Sequence, residues 1–369
     1  MIELSALDIY FWLKELKENF NLLIDSRIEN IYEKNQDKET ELIFQLFIPK
    51  KEKTFLHITD KFIFLKQEKE EIKESSKFAL SLRKHILKNR ILEIKQKEFE
   101  RILEIKLESL EGIKYLIIEF IKPGNIILCD ETYKIIMAKH YKAYGSRLIR
   151  PGNTYDYPKK DFNLLNLNEN SFIKAFENNN SVVINLAVSL GLGGKYAEEI
   201  CLKAELDKNK TNLNENELKK AYNEIEKIKN EKLNPILYID DKKITNFSPF
   251  ELLSLKLEKE KKESFNQAIS EYYYNNLEKK ESKFEKEKKK IEIIIKNQEI
   301  QISGFLKSAE ENQKKAELIY ENYELINNIL NEIKNAMKKY SLKEIKEKLK
   351  DHKIIKEVNE KEKTITIEI

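Results

Sequence analysis

Apolar and polar positions divide the chain into three regimes. Leu7, Phe11 and Leu16 recur at helical spacing after Ser5, and Ser5 and Asp8 stand at capping-box separation, so a helix opens the chain. Alternating or β-rich runs follow: ELIFQLFIPK, KTFLHITDKFIFLK, RILEIKQ, RILEIKLES, KYLIIEFI and NIILCD, interrupted by one helical stretch, SSKFALSLRKHILKN. The turns KPGN and RPGN punctuate the later strands. Residues 1–160 therefore read as one mixed domain, mostly antiparallel β with two helices. An Asn-rich linker is expected over 161–180, a helical domain over 181–232 and a second linker, around Pro235 and Pro249, over 233–257.

The third regime, 258–350, reads as a long charged helix. One seven-residue series gives Ile295, Ile302, Ala309, Ala316, Tyr323, Leu330 and Met337; another gives Ile291, Gln298, Phe305, Asn312, Ile319, Ile326, Ile333 and Tyr340. Two seams over about seven heptads predict a coiled-coil arm, with Gly304 as a point of bending. The chain has no second helix of matching length to cover them. The tail, 351–369, ends in the strand KTITIEI without an evident mate. A partner in trans is therefore expected, either a second copy or a separate chain with the returning helix. The fold class is α+β and multidomain.

Composition adds a core but no reactive cluster. The 369 residues are 41% apolar, enough for two or three domains. Cys129 and Cys201 lie far apart without paired-ligand spacing and read as reduced core thiols, and the four histidines are scattered. No metal or cofactor is expected. No run approaches ~18 apolar residues and the N-terminus lacks a basic region followed by an apolar one, so a cytoplasmic protein with no membrane partner is expected.

Charge is informative only by position. Thr132–Arg150 carries Lys134, Lys139, Lys142, Arg147 and Arg150 without an acid, interleaved with Tyr133, Tyr141 and Tyr144. Cations attract phosphate and aromatic faces stack on bases, so a nucleic-acid surface is one reading and a solvated strand face the other. A second basic cluster spans Lys77 to Arg101 and includes Arg83, Lys84 and Arg90. All six arginines precede residue 151, where the planar guanidinium points to phosphate or carboxylate contacts.

The stretch SLGLGGKYAEEICLKAEL holds Gly191, Gly193 and Gly194 between two helical patterns. It lacks the Lys-Ser/Thr of a Walker loop and the preceding strand of a dinucleotide loop, so it is a tight turn between helices. Beside Lys195, such a turn either seats one backbone phosphate on helix N–H groups or serves only close packing.

Together, SALDIYFWLKELKE, SSKFALSLRKHILKNRILEIKQKEFERILEI, YLIIEFIKPGNIILCD with RLIRPGNTYDYP, LGLGGKYAEEICLKA and AELIYENYELINNIL make the chain resemble the NFACT proteins. The resemblance covers nearly the whole chain. It implies an NFACT-N domain, similar in fold to the N-terminal domain of formamidopyrimidine-DNA glycosylases, then a helix-hairpin-helix domain and the first coiled-coil arm. It also implies a ribosome quality control factor that binds an obstructed large ribosomal subunit and tRNA, the ribosome itself extending the stalled chain with untemplated residues. Matched motifs place tRNA handling on Asp8 and on Glu100-Arg101, where the family usually has Asp-Arg. The returning arm and the NFACT-R domain of the family are missing from this sequence, so either the family protein is split into two chains, with a separate chain carrying both, or the sequence is a shortened piece of a longer protein. A glycosylase activity is not expected, because the chain begins Met1-Ile2 rather than with proline and lacks a four-cysteine zinc finger. The alternative is a coiled-coil adaptor that binds no RNA.

Overall fold

Helix α1 (Ala6–Glu18) begins where the sequence places its cap: Asp8 N donates to Ser5 Oγ and Ser5 N to Asp8 Oδ2. The computed structural model describes residues 2–19, 23–36, 39–49, 53–67, 76–145, 147–277, 283–350, 352–359, 362 and 364–368. They fall into two units, 1–279 and 280–369.

In the first unit, β1 (Arg27–Gln36), β2 (Glu39–Phe47), β3 (Thr54–Ile58), β4 (Ile63–Lys66), β5 (Arg90–Gln96), β6 (Ile102–Ser109), β7 (Gly112–Glu119), β8 (Asn125–Asp130) and β9 (Ile135–Ala138) form one antiparallel sheet, ordered β4-β3-β2-β1-β5-β6-β7-β8-β9. Helix α2 (Lys77–Ile86) lies between β4 and β5 in sequence, and β1 meets β5 only at Arg27 and Arg90. The strands look uniformly apolar because both sheet faces are covered. Leu103, Leu116, Ile118 and Leu128 join the main core with α1, whereas Ile102, Ile117, Ile127 and Cys129 pack under Ile149 and Tyr155. Ile149 ends a hairpin of β10 (Lys142–Tyr144) and β11 (Arg147–Ile149). Burial pushes the Cys129 thiol up to about 12 and that of Cys201 to about 11, and both are free.

A helical stretch follows: α3 (Glu169–Lys174), α4 (Val182–Ile184) continuing as a π-helical turn over Asn185–Ser189, α5 (Gly194–Lys203) and α6 (Glu215–Lys229). The expected boundary at 160 does not separate cores, since Leu164, Phe172, Leu186 and Ile200 share the main core with the sheet. The expected 233–257 linker is likewise corrected. It carries β12 (Ile236–Asp240) and β13 (Lys243–Ser248), which with β14 (Glu258–Lys261) form a sheet ordered β13-β12-β14. The β12–β13 turn has positive φ at both Asp241 and Lys242, a primed-turn geometry usually signalled by Asn-Gly. The first residues of the expected arm are corrected too, because β14 and α7 (Phe265–Asn276) belong to this unit. Phe265, Ile269, Tyr272 and Tyr273 are buried in its core, and Trp12 Nε1 donates to Asn266 Oδ1 at 3.2 Å.

Residues 278–282 of the expected arm lie outside the described ones, and in the second unit α8 (Lys283–Glu321) and α9 (Tyr323–Ala336) are divided at Asn322. They are followed by α10 (Leu342–Lys348), β15 (Ile355–Asn359) and β16 (Thr364–Ile367). Seam residues Ile295, Ile302, Phe305 and Ile319 are exposed. Ile329, Ile333, Ile355 and Val358 instead form a small core. The terminal strand does have a mate, since β16 pairs antiparallel with β15. Ile355 and Val358 were apolar enough to form that partner but too few to stand out as a strand.

Candidate nucleic-acid interface

The N-terminal end of α1, the turn from β5 to β6 and the glycine turn before α5 meet around a cleft of about 680 Å³. Glu100, Arg101, Gly191, Gly193, Gly194 and Lys195 all line it. Residues far apart in sequence but singled out by it are thus gathered in one place. Ala187, Val188 and Leu255 supply apolar wall.

Two glycines are required by the approach of the chain. Gly193, φ +83°, caps α5, and a Cβ there would lie 3.1 Å from Ser5 Cβ. Gly191, φ +73°, lies under Lys160, whose Nζ would be 2.6 Å from a Cβ. No side chain caps α5 and a Cβ at Gly194 would meet nothing within 4 Å, so the positive end of the helix opens on the cleft.

Asp8, expected to face RNA, is corrected to a buried positioning group. Its Oδ1 accepts from Lys195 Nζ at 2.8 Å and from Tyr196 Oη at 2.6 Å, tying α1 to α5. Lys195 Nζ also donates to the Phe247 carbonyl at 2.8 Å. Burial pushes the Lys195 ammonium below the ordinary lysine range while Asp8 opposes that shift, and burial beside Asp8 pushes the Tyr196 phenol far up. These hydrogen bonds hold Lys195, which lines the cleft, against Asp8 of α1 and the Phe247 carbonyl.

Glu100 and Arg101 do not pair with each other through their charged ends. Glu100 Oε1 meets Lys160 Nζ at 2.9 Å, and Arg101 donates to Glu3 Oε2 at 2.9 Å. The Arg101 and Glu3 side chains are 31% and 29% exposed, so solvent screens that ion pair and it is worth about 0–1 kcal/mol. Lys160 and Glu3 were missed in the sequence because neither stands in a recognisable spacing, and Asn246 of the cleft lay in the supposed linker.

The remaining predicted cations are dispersed. Lys139 pairs with Asp60 at 2.9 Å, Arg90 with Glu108 at 2.8 Å and Asp25 at 3.2 Å, and Arg147 with Glu119 while donating to the Asp156 carbonyl. Arg83 Nε donates to the Ile31 carbonyl at 2.6 Å and its guanidinium lies over Tyr32. These contacts engage Lys139, Arg90, Arg147 and Arg83 with the protein's own groups. Lys84, Lys142 and Arg150 are exposed. Tyr133 turns inward, stacked on Tyr115 at 4.5 Å and donating to Glu104, whereas Tyr141 is exposed.

Among the described residues no helix is long and apolar enough to cross a membrane. The family model "NFACT N-terminal and middle domains" matches residues 5–367. The archaeal Rqc2 homolog aRqcH of Methanocaldococcus jannaschii is 30% identical over 97% of this chain and 57% of its own length. The ribosome quality control complex subunit 2 of Saccharomyces cerevisiae is 31% identical over 36% of this chain and 12% of its own. The chain thus spans little more than half of the archaeal relative. The N-terminal part of the fibronectin/fibrinogen-binding protein of Streptococcus suis shares the fold, with a TM-score of 0.57 at 23% identity, covering 72% of this chain and 98% of that one. With an α+β architecture built on one large antiparallel sheet and a family match running through nearly all of its length, the chain belongs to the NFACT family.

Proposed function

We propose that this chain is the RNA-binding portion of a cytoplasmic ribosome quality control factor, which engages tRNA through the cleft on an obstructed large ribosomal subunit. The observation that supports this most is the convergence of Arg101, the uncapped start of α5 and the glycine turn on one cleft. A phosphate replacing the Glu3 carboxylate on Arg101 keeps the guanidinium's charge-assisted bonds and gains the partial positive charge of α5. In this reading Gly191–Gly194 is the turn of a helix-hairpin-helix element, and Lys142 and Arg150 on and beside the exposed hairpin extend the phosphate track. Nothing in the cleft is assigned a catalytic step; peptide-bond formation in any tailing reaction belongs to the ribosome. Glu100, held by Lys160, replaces the usual family aspartate and reaches roughly 1.5 Å further, a distance on the scale that matters for positioning.

The relatives' names support the role, since the archaeal one is called an Rqc2 homolog and the yeast one a ribosome quality control complex subunit. The open seam of α8 is read as the first coiled-coil arm. Its partner is a returning helix, carried with an NFACT-R domain by another chain or further along a longer protein, or else supplied by a second copy.

Binding of labelled tRNA across a salt series tests the cleft. A steep salt dependence is expected, weakened severalfold in affinity by Arg101→Gln, together with co-purification of large-subunit proteins from native lysate. Salt-independent binding, unchanged in Arg101→Gln, would leave the adaptor reading.

A further inference from the structure

A second surface lies at the other end of β5. Gln96, which donates to the Ala6 and Glu100 carbonyls beside the cleft, is six residues from Arg90, about 20 Å at strand rise. At the Arg90 end, the β1–β2 face opens a groove of about 490 Å³ whose lining includes Arg27, Asn30, Tyr32, Gln45, Phe47 and Lys88.

The floor of the groove is internally bonded and its rim is not. Asn30 Nδ2 donates to Tyr32 Oη at 3.0 Å, Tyr32 Oη to Gln45 Oε1 at 3.1 Å, and Gln45 Nε2 to Glu29 Oε2 at 2.7 Å. Glu29, the carboxylate among the lining residues, is thereby engaged. On the rim, Phe47 is 48% exposed and stands directly across the β1–β2 register from Arg27. Arg27 and Lys88 are exposed, and among the described residues neither forms an ion pair, unlike Arg90, Arg101, Lys139, Arg147 and Lys195.

Two unpaired cations against one engaged carboxylate call for an anionic occupant. A half-exposed ring beside them calls for a planar one. A single RNA strand supplies both at once, with a base for the ring and phosphates on either side. We propose that this groove is a second RNA site, separate from the cleft, in which one unpaired base stacks on Phe47 while the flanking phosphates bind Arg27 and Lys88. The surface therefore fits a looped or single-stranded RNA segment, and its binding does not depend on tRNA occupying the cleft.

The test uses the full chain and a labelled twelve-nucleotide oligouridylate carrying 4-thiouridine. Phe47→Ala is expected to weaken binding about tenfold, Phe47→Trp to retain it, and the Arg27→Gln, Lys88→Gln double variant to lower the slope of log affinity against log salt by about 1.4. Photocrosslinks are expected on β2. Arg101→Gln should leave oligouridylate binding intact while weakening tRNA, so failure at the cleft and failure at the groove are told apart. Wild-type binding by both Phe47→Ala and the double variant, crosslinks confined to the glycine turn, or equal competition by a polyglutamate twelve-mer would overturn the proposal.

Discussion

The two units use similar apolar side chains to opposite ends. In residues 1–279, side chains from Leu4 through Tyr273 close into a large core, and Ile102, Ile117, Ile127 and Cys129 close into a smaller one under Ile149 and Tyr155. In residues 280–369, α8 leaves Ile293, Ile300, Phe305 and Leu306 mostly exposed, and only a small cluster around Ile329, Ile333, Ile355 and Val358 is buried. Both regions have helical periodicity, but periodicity orders an apolar stripe without covering it. Burial supplies about 25 cal/mol for each Å² removed from water, so the first unit has that stabilisation in hand while the exposed side chains of α8 contribute little of it.

The largest effect that sharpens this contrast is expected at Trp12, fully buried and bonded to Asn266. Trp12→Ala should lower unfolding stability by about 3–5 kcal/mol in urea titration; a loss below about 1 kcal/mol would mean the core is not shared as described. Next comes Gly193→Ala, which imposes a Cβ at φ +83° and 3.1 Å from Ser5 Cβ. About 1–3 kcal/mol of destabilisation is expected by the same titration, together with weaker tRNA binding.

A smaller effect concerns pH. Burial raises the Glu15 carboxyl above its ordinary value, the Phe265 and Asn266 N–H groups pull it down, and Glu18 adds to the rise. A raised folded-state value means that the folded chain binds more protons than the unfolded one between the ordinary and the raised values. Glu15's contribution is thus present below the ordinary value and lost as pH rises through the raised one. Glu15→Gln should flatten that part of the curve of Tm against pH, and an unchanged slope would assign it to other groups. The smallest effect is expected in the open seam: Phe305, 73% exposed, replaced by Ala should change the stability of the isolated chain by no more than about 0.5 kcal/mol. The same change should clearly weaken pairing with a returning-arm peptide in a pull-down. A large loss in the isolated chain would show that α8 already has its cover.

Local chemistry made several elements legible in advance. Ser5 and Asp8 announced α1 because a capping box satisfies helix N–H groups within four residues of chain. The glycines between two helical patterns announced the turn before α5. The β12–β13 hairpin escaped notice because Asp241 and Lys242 adopt positive φ without a glycine, and Pro235 and Pro249 resemble linker punctuation. At the cleft, Arg101 and the glycines were recognisable as types. Asp8's burial was not, because nothing in a helix's own sequence shows that α5 will bring Lys195 and Tyr196 onto one of its carboxylate oxygens.

By itself, the amino-acid sequence determined the elements whose signals are local: the capped helices, the glycine turn, most of the sheet strands and the long charged helix α8. Only the tertiary structure decided which charges remain available. An ion pair forms between residues such as Glu3 and Arg101, or Asp60 and Lys139, that are 98 and 79 positions apart. Charge availability depends on three-dimensional distance and desolvation, and neither quantity is encoded in the spacing of residues along the chain.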